Sequence, residues 1–367
     1  MKTLIFTTSN DLNFDQRMQR ICSSLQSAGF QCLLTGRTLK TSLPLKDQPF
    51  HQHRFKCFFN KGKFFYMELN IRLFFFLKKQ KADIVCAVDF DTLPGAFRGA
   101  KSGGSLIVLD AHEYFEEVPE LIARPKIKSI WEGIGKQFIP RLDMAYTVNK
   151  SIADIYQGKY NISFEVIRNL PIIKVFEGVS SKPSNIILYQ GALNEGRGLE
   201  ECIHAIKYFP NHEFHIAGEG DLSQDLRALV ANLNLQKQVK FLGFIRPEEL
   251  KIMTRNALIG INVLEANSLN YYYSLANKFF DYMHAGIPHI SMNFPEYKRI
   301  NDEIEVAILI EELSVQKIKE AILQLTSDKN YYQQLKSNCI LARDNFNWAK
   351  EEEKLILMYN KLLENNP

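Results

Sequence analysis

A chain of 367 residues, 46% hydrophobic, has material for two cores, and its formal charge of +4, with no recognition motif, argues against a nucleic-acid partner. The six cysteines (Cys22, Cys32, Cys57, Cys86, Cys202, Cys339) are scattered with no C-x-x-C pair, which excludes a disulfide scaffold and a zinc module as expectations and reads as a reducing, cytoplasmic setting. Met1-Lys2-Thr3 leads into only a few apolar residues before Thr7-Thr8-Ser9-Asn10, and no window approaches the length of a membrane span, so neither a signal peptide nor a spanning helix is expected.

In chain order the first half alternates short β-branched runs with helical stretches. Leu4 to Thr8 reads as a strand, Asp15 to Ala28 as a helix, Cys32 to Thr35 as a strand, and Lys63 to Gln80 as a long helix. Asp83 to Val88, Leu106 to Leu109 and Met144 to Val148 follow as strands, with a helix near Ser151 to Tyr160. This is the βαβ rhythm of a parallel, doubly wound sheet. It stops over the Pro- and Ser-containing stretch 168–184 and restarts with Ile186 to Leu188, Phe214 to Ala217, Val239 to Leu242, Leu258 to Val263 and His289 to Ser291. Trp348 to Leu363 reads as a closing amphipathic helix with Leu355, Met358, Tyr359 and Leu362 on one face. The divisions expected are an N-terminal Rossmann-like domain over 1–170, a second over 171–345 and the closing helix over 346–367.

In open parallel sheets ligands bind beyond the carboxyl ends of the strands, and polar residues gather at those ends here. Asn10, Asp11 and Asn13 follow the first strand; Asp89 follows the run to Val88; Asp110-Ala111-His112-Glu113 follow Leu109. In the second half Gly191, the Gly218-Glu219-Gly220-Asp221 segment and Glu265 stand in the same relation to their strands. Two such edges facing each other would form a cleft. The stretch Tyr189 to Leu199 carries the most chemistry, because an apolar strand runs into glycines, Arg197 and then a helix. Free backbone N–H groups, the positive end of the helix and a guanidinium would converge there on an anion; taken alone, an ordinary strand-to-helix turn fits the same residues.

Four segments in series decide between those readings. Tyr189 to Leu199, Ile216 to Asp221, Val239 to Phe244 and Asn277 to Pro288 resemble, in order and spacing, the donor-binding domain of retaining glycosyltransferases of the GT-B fold in family 4, the glycosyl transferases group 1 type. Asp15-Gln16-Arg17, Asp89 to Leu93 and Asp110 to Phe115 also resemble the N-terminal half of that family. The resemblance implies two Rossmann-like domains facing across a cleft. A nucleotide sugar would lie on the C-terminal domain, its diphosphate at Arg197 and Lys278 and its ribose at Asp281, with Gly191, Gly218 and Gly220 admitting it closely. His112, with Arg197 and Lys278, would be catalytic, and Asp15, Arg17, Asp89 and Glu113 would serve the acceptor side. The implied partners are the nucleotide sugar, UDP-linked in preference to GDP-linked, and a lipid-linked or polysaccharide acceptor; no cofactor and no metal are expected, and the D-x-D of Asp89-Phe90-Asp91 is read as a chance match.

Two positions depart from the family pattern. Its arginine after the first-motif glycine is Ala192 here, and the first acid of its paired-glutamate motif is Tyr273, with Glu265 as a displaced substitute of poor spacing. A nucleotide-sugar epimerase of the same fold and a non-catalytic nucleotide-sugar-binding subunit therefore stay open beside the transferase. Finally, the region from His51 to Lys81 sets eight basic residues against Glu68 among many phenylalanines. It reads as a surface for an anionic membrane in its earlier, loop part and as buried helix in its later part, Phe74 to Leu77.

Overall fold

The computed structural model describes residues 1–173 and 184–366, so most of the break in rhythm at 168–184 lies outside the described residues. The chain divides into two compact units, Met1–Asn169 with Glu351–Pro367, and Leu170–Lys350. Each is a parallel sheet with helices between successive strands, except that a loop alone joins Gln31–Thr38 to His51–Lys56, in the two-Rossmann architecture of the GT-B fold.

In the N-terminal unit the strands are β1 (Thr3–Thr7), β2 (Gln31–Thr38), β3 (His51–Lys56), β4 (Ile84–Val88), β5 (Leu106–Ala111), β6 (Met144–Thr147) and β7 (Glu165–Val166), in the order β3-β2-β1-β4-β5-β6-β7. In the C-terminal unit they are β8 (Ile186–Gln190), β9 (Glu213–Ala217), β10 (Val239–Gly243), β11 (Ile259–Asn262), β12 (His289–Met292) and β13 (Ala307–Ile310), in the order β10-β9-β8-β11-β12-β13. Strands covered on both faces read as unbroken apolar runs; Ile84-Val85-Cys86-Ala87-Val88 is buried at every position.

β3 was not marked from sequence. It is an edge strand, His51-Gln52-His53-Arg54-Phe55-Lys56, whose burial alternates too weakly to show a period of two. The helix Asp89–Gly103 also escaped notice because Pro94 and three glycines mask its period; Gly95 and Gly99 are there so that the helix Gly62–Leu77 can lie against it, since a Cβ on either would clash with Asn70 or Leu77. One reading is corrected. The buried face of the Gly62–Leu77 helix is Phe65, Leu69, Leu73 and Leu77, so Phe75 points outward with Phe64, Met67 and Ile71 instead of into the core. Four-residue spacing places these four on the opposite side of the cylinder.

From Glu351 onward the helix Trp348–Glu364 belongs to the N-terminal unit. Tyr359 is fully buried there against Phe6 of β1 and Tyr146 of β6, with its hydroxyl 3.3 Å from that of Tyr146. Glu351 accepts a hydrogen bond from the Arg168 N–H at 2.8 Å. Removing a buried aromatic ring typically costs about 3–5 kcal/mol. We expect Tyr359→Ala to destabilise the N-terminal unit by about that amount, read as a lower urea midpoint in a transition that leaves the other unit's unchanged.

Candidate functional site

On the C-terminal unit the site grows from the end of β8. Tyr189 is fully buried and its hydroxyl donates to the Ala192 carbonyl at 2.8 Å, pinning the turn that follows the strand. Gly191 takes φ +136° and its N–H donates to Ala217 O at 3.0 Å. A Cβ on Gly218 (φ +149°) would fall 1.9 Å from Gly191 O, and one on Gly220 would fall 2.6 Å from the backbone of Leu193. The backbone these glycines admit includes this chain's own neighbouring loop. The loop then reverses through Gly196 and Gly198, at φ +79° and +63°, into the helix Leu199–Ile206, with Arg197 between them.

The facing helix, Asn277–Ala285, is seated by Tyr282, which packs over Gly260 and whose hydroxyl lies 3.0 Å from Leu188 O and 3.2 Å from Ile261 O. This fixes Lys278 in its first turn. The ammonium lies 3.9 Å from the centre of the Tyr189 ring, and the Arg197 guanidinium lies 5.0 Å from that of Tyr271. Lys278 is 9% exposed and forms no ion pair among the described residues; Arg197 keeps a buried Nε with no hydrogen-bond partner. Burial drives the lysine pKa well below its usual value, and Arg197 lowers it further. Two cations supported on aromatic faces, without a neutralising carboxylate at the ammonium, form a field that an anion would complete. Asp281, one turn on, lines with Lys278, Gly191 and Gln190 a cavity of about 260 Å³.

Glu265, the displaced candidate for the missing family acid, stands among other acids. Burial raises its pKa, and so do Glu201, Glu200 and Glu195 around it; Asn267 is its hydrogen-bond donor at 3.1 Å. A larger open hollow of about 570 Å³ beyond β12 and β13 is lined by charges already paired, such as Lys298 with Asp302 at 2.9 Å.

On the N-terminal unit the carboxyl ends of β4 and β5 bring Asp89, Asp110 and His112 together. His112 Nε2 lies 3.1 Å from Asp110 Oδ2 and its Nδ1 lies 3.8 Å from Asp89 Oδ2. Asp110, fully buried, also takes both arms of Arg17, at 2.9 and 3.3 Å. Burial alone would raise the Asp110 pKa, but Arg17 and His112 more than offset it and hold it at about 2. Burial alone would likewise lower His112, but Asp110 and Asp89 hold it up at about 9. Asp89 shows the opposite balance: burial, Glu113 and Asp91 outweigh His112 and raise it to about 7. Asp89 also sits at φ +58°, the left-handed region that a non-glycine residue enters at a cost, while its Oδ1 accepts from the His112 N–H at 2.8 Å.

The other acceptor-side expectations fall inside the unit. Asp15 caps the helix Gln16–Ser27 through the Met18 N–H, and Arg17 reaches Ile167 O at 2.9 Å as well as Asp110, so both are buried supports of this edge. Asp91 accepts from Ser9 at 2.5 Å; Glu113 is half-buried and its carbonyl accepts from Tyr156. Asp89 and Asp91 thus answer to different partners. Sequence reasoning missed the two tyrosine platforms and Gln190. A polar residue closing an apolar strand just before a glycine was the available signal for the last.

Both units carry the doubly wound parallel sheet of the GT-B fold, with polar residues gathered at the carboxyl ends of the strands. Residues 173–340, nearly the whole C-terminal unit, match the family described as Glycosyl transferases group 1. No curated protein matches the chain. Among solved structures, a sucrose-phosphate synthase from Thermosynechococcus elongatus is 15% identical with a TM-score of 0.84, each chain covered in full. The Anabaena protein HepE in complex with UDP is 13% identical over 98% of this chain and 100% of its own, with a TM-score of 0.75. WaaG, a glycosyltransferase involved in lipopolysaccharide biosynthesis, is 15% identical over 96% and 98% of the two chains, with a TM-score of 0.70.

The His112 cluster has a consequence for stability. A histidine raised from 6.5 to about 9 on folding contributes stability that is complete below pH 6.5 and lost as pH rises through 9. Asp110, lowered from 3.8 to about 2, contributes above pH 3.8 and loses it as pH falls through 2. Denaturant unfolding between pH 6.5 and 9 should therefore show a steeper fall for the parent than for His112→Gln, the slopes differing by up to about 1.4 kcal/mol per pH unit.

Proposed function

We propose that this chain is an enzyme that transfers a sugar from a nucleotide-sugar donor, UDP-linked in preference to GDP-linked, to a lipid-linked or polysaccharide acceptor, with retention at the anomeric carbon. The observation that carries the reading is the cation pair of Arg197 and Lys278 at a strand-to-helix turn, with Asp281 lining a cavity beside Lys278. HepE, of the same fold, is described in complex with UDP, which supports a nucleoside diphosphate as the anion.

In the proposed reaction the bond from the anomeric carbon to the diphosphate oxygen breaks, its electron pair leaving with the phosphate. The acceptor oxygen bonds to the same carbon from the same face, and its proton passes to the departing phosphate oxygen. Charge thus develops on the phosphate, where Arg197 and Lys278 are pre-set, so they favour the transition state over the ground state. His112 carries its proton near neutral pH and is not a base. Its Nδ1, outside hydrogen-bond distance of Asp89, is suited to donate to a sugar or acceptor hydroxyl, with Asp89, Asp110 and Arg17 holding the ring. No metal is required, because protein cations meet the leaving group.

Ala192 and Tyr273, at family positions for an arginine and an acid, favour a second reading, that of a non-catalytic donor-binding subunit. Calorimetric titration with UDP and GDP, paired with turnover of the matching sugar nucleotide, separates the two. Lys278→Met should weaken binding on the order of ten- to a hundredfold. His112→Gln should leave binding intact and cut turnover about a hundredfold or more; binding without turnover in the parent would establish the second reading.

We further infer a peripheral location on the inner face of the cytoplasmic membrane. Among the described residues no helix is long and apolar enough to cross a membrane. Phe58, 86% exposed, and Phe59 precede an outward stripe of Phe64, Met67, Ile71 and Phe75, all rimmed by exposed Lys56, Lys61, Lys63, Lys78 and Lys79. Each basic residue near an anionic surface adds about 1 kcal/mol. The protein should co-sediment with phosphatidylglycerol-containing vesicles but not with pure phosphatidylcholine. Raised salt should release it, and Phe58→Ser with Phe75→Ser should weaken it several-fold.

A further inference from the structure

Asp281 is held from outside its own helix. Gln190, the last residue of β8 and 5% exposed, donates from Nε2 to Asp281 Oδ2 at 2.9 Å, while its Oε1 accepts from Thr254 Oγ1 at 2.7 Å. The amide has only one workable orientation: an ionised carboxylate accepts and never donates, so Nε2 must face Asp281 and leave Oε1 to the hydroxyl. Gln190 is itself fixed, paired with Ala217 of β9 and followed by Gly191, which lines the same cavity. One buried amide therefore ties β8, the helix Pro247–Arg255 that carries Thr254, and the helix Asn277–Ala285 that carries Asp281.

A carboxylate that receives two vicinal hydroxyls must present its oxygens in a fixed plane, because rotation about Cβ–Cγ spoils both bonds at once. In aspartate that last torsion is broad and weakly held by the side chain itself, so the bond from Gln190 is what restrains it. Resting on the reading of this unit as the donor site, we propose that Gln190 is a positioning residue that orients Asp281 toward a ribose diol and so sets the preference for a ribonucleoside diphosphate over its 2′-deoxy counterpart. Thr254 backs it by holding the far end of the amide.

The test is calorimetric titration of the full chain with UDP and GDP, the 2′-deoxy counterpart of each, and inorganic pyrophosphate. The parent should prefer the ribonucleotide about tenfold, the worth of one well-made hydrogen bond. Gln190→Leu, similar in volume, should bring that preference within about twofold by weakening ribonucleotide binding, and leave pyrophosphate affinity unchanged. Thr254→Val should reduce the preference in the same direction, and it carries the test if Gln190→Leu does not fold by circular dichroism. Preference kept at the parental ratio in the folded variants overturns the role of Gln190. A parent that binds pyrophosphate and both sugar forms alike overturns the ribose role of Asp281, and one that binds none of the probes overturns the donor-site reading itself.

Discussion

Everything proposed for the C-terminal unit depends on a lysine and an arginine that rest on tyrosine rings. Burying an ammonium without a carboxylate is unfavourable by several kcal/mol in principle, and that cost can be met in two ways. The Tyr189 face supplies quadrupolar attraction at 3.9 Å, and an arriving anion would offset the burial and the Arg197 charge that otherwise hold the Lys278 pKa below its usual value. The same Tyr189 pins the turn at Ala192 through its hydroxyl. The cation and the loop it would serve are thus registered by one side chain, and Tyr282 registers the helix beneath them against the sheet.

The N-terminal site solves the reverse problem. Its charges of opposite sign lie in contact: Arg17 and His112 face Asp110, and Asp89 holds the His112 backbone while approaching its ring. Such a network orients; it does not attract. A charged imidazole bonded through Nε2 to Asp110 has its ring plane fixed and a second N–H, on Nδ1, still to donate, which suits a group that directs a hydroxyl. The left-handed backbone of Asp89 is the strain this arrangement carries. One unit thus presents two cations with no carboxylate at the ammonium and the other a cluster in which cations and carboxylates meet, as expected if the first receives a polyanion and the second a neutral glycan.

The sequence carried the parts of this that depend on residue order. The turn from Tyr189 to Leu199, the glycines that follow β9 and the run from Asn277 to Pro288 mark their loops because only glycine tolerates those dihedrals and those approaches. His112 was visible as a titratable residue at a strand's carboxyl end. Its two carboxylate neighbours were visible too, but not that they would act on opposite sides of the ring. Gln190 and Thr254, or Arg197 and Tyr271, meet across dozens of residues, and no local period encodes such pairs. β3 was hidden because an edge strand needs no apolar run, and the exposure of Phe75 because a stretch of phenylalanines has no period to read.

The return of the chain at Glu351 gives the N-terminal unit a core assembled from sequence-distant pieces: Tyr359 lies against Phe6, more than three hundred positions away. During synthesis β1 and β6 emerge long before the ring that fills the space beside them. The C-terminal unit, continuous from Leu170 to Lys350, has all its parts off the ribosome first. The unit made first is therefore the one completed last, and until then it exposes the apolar bed of that helix to whatever chaperone or neighbouring chain meets it.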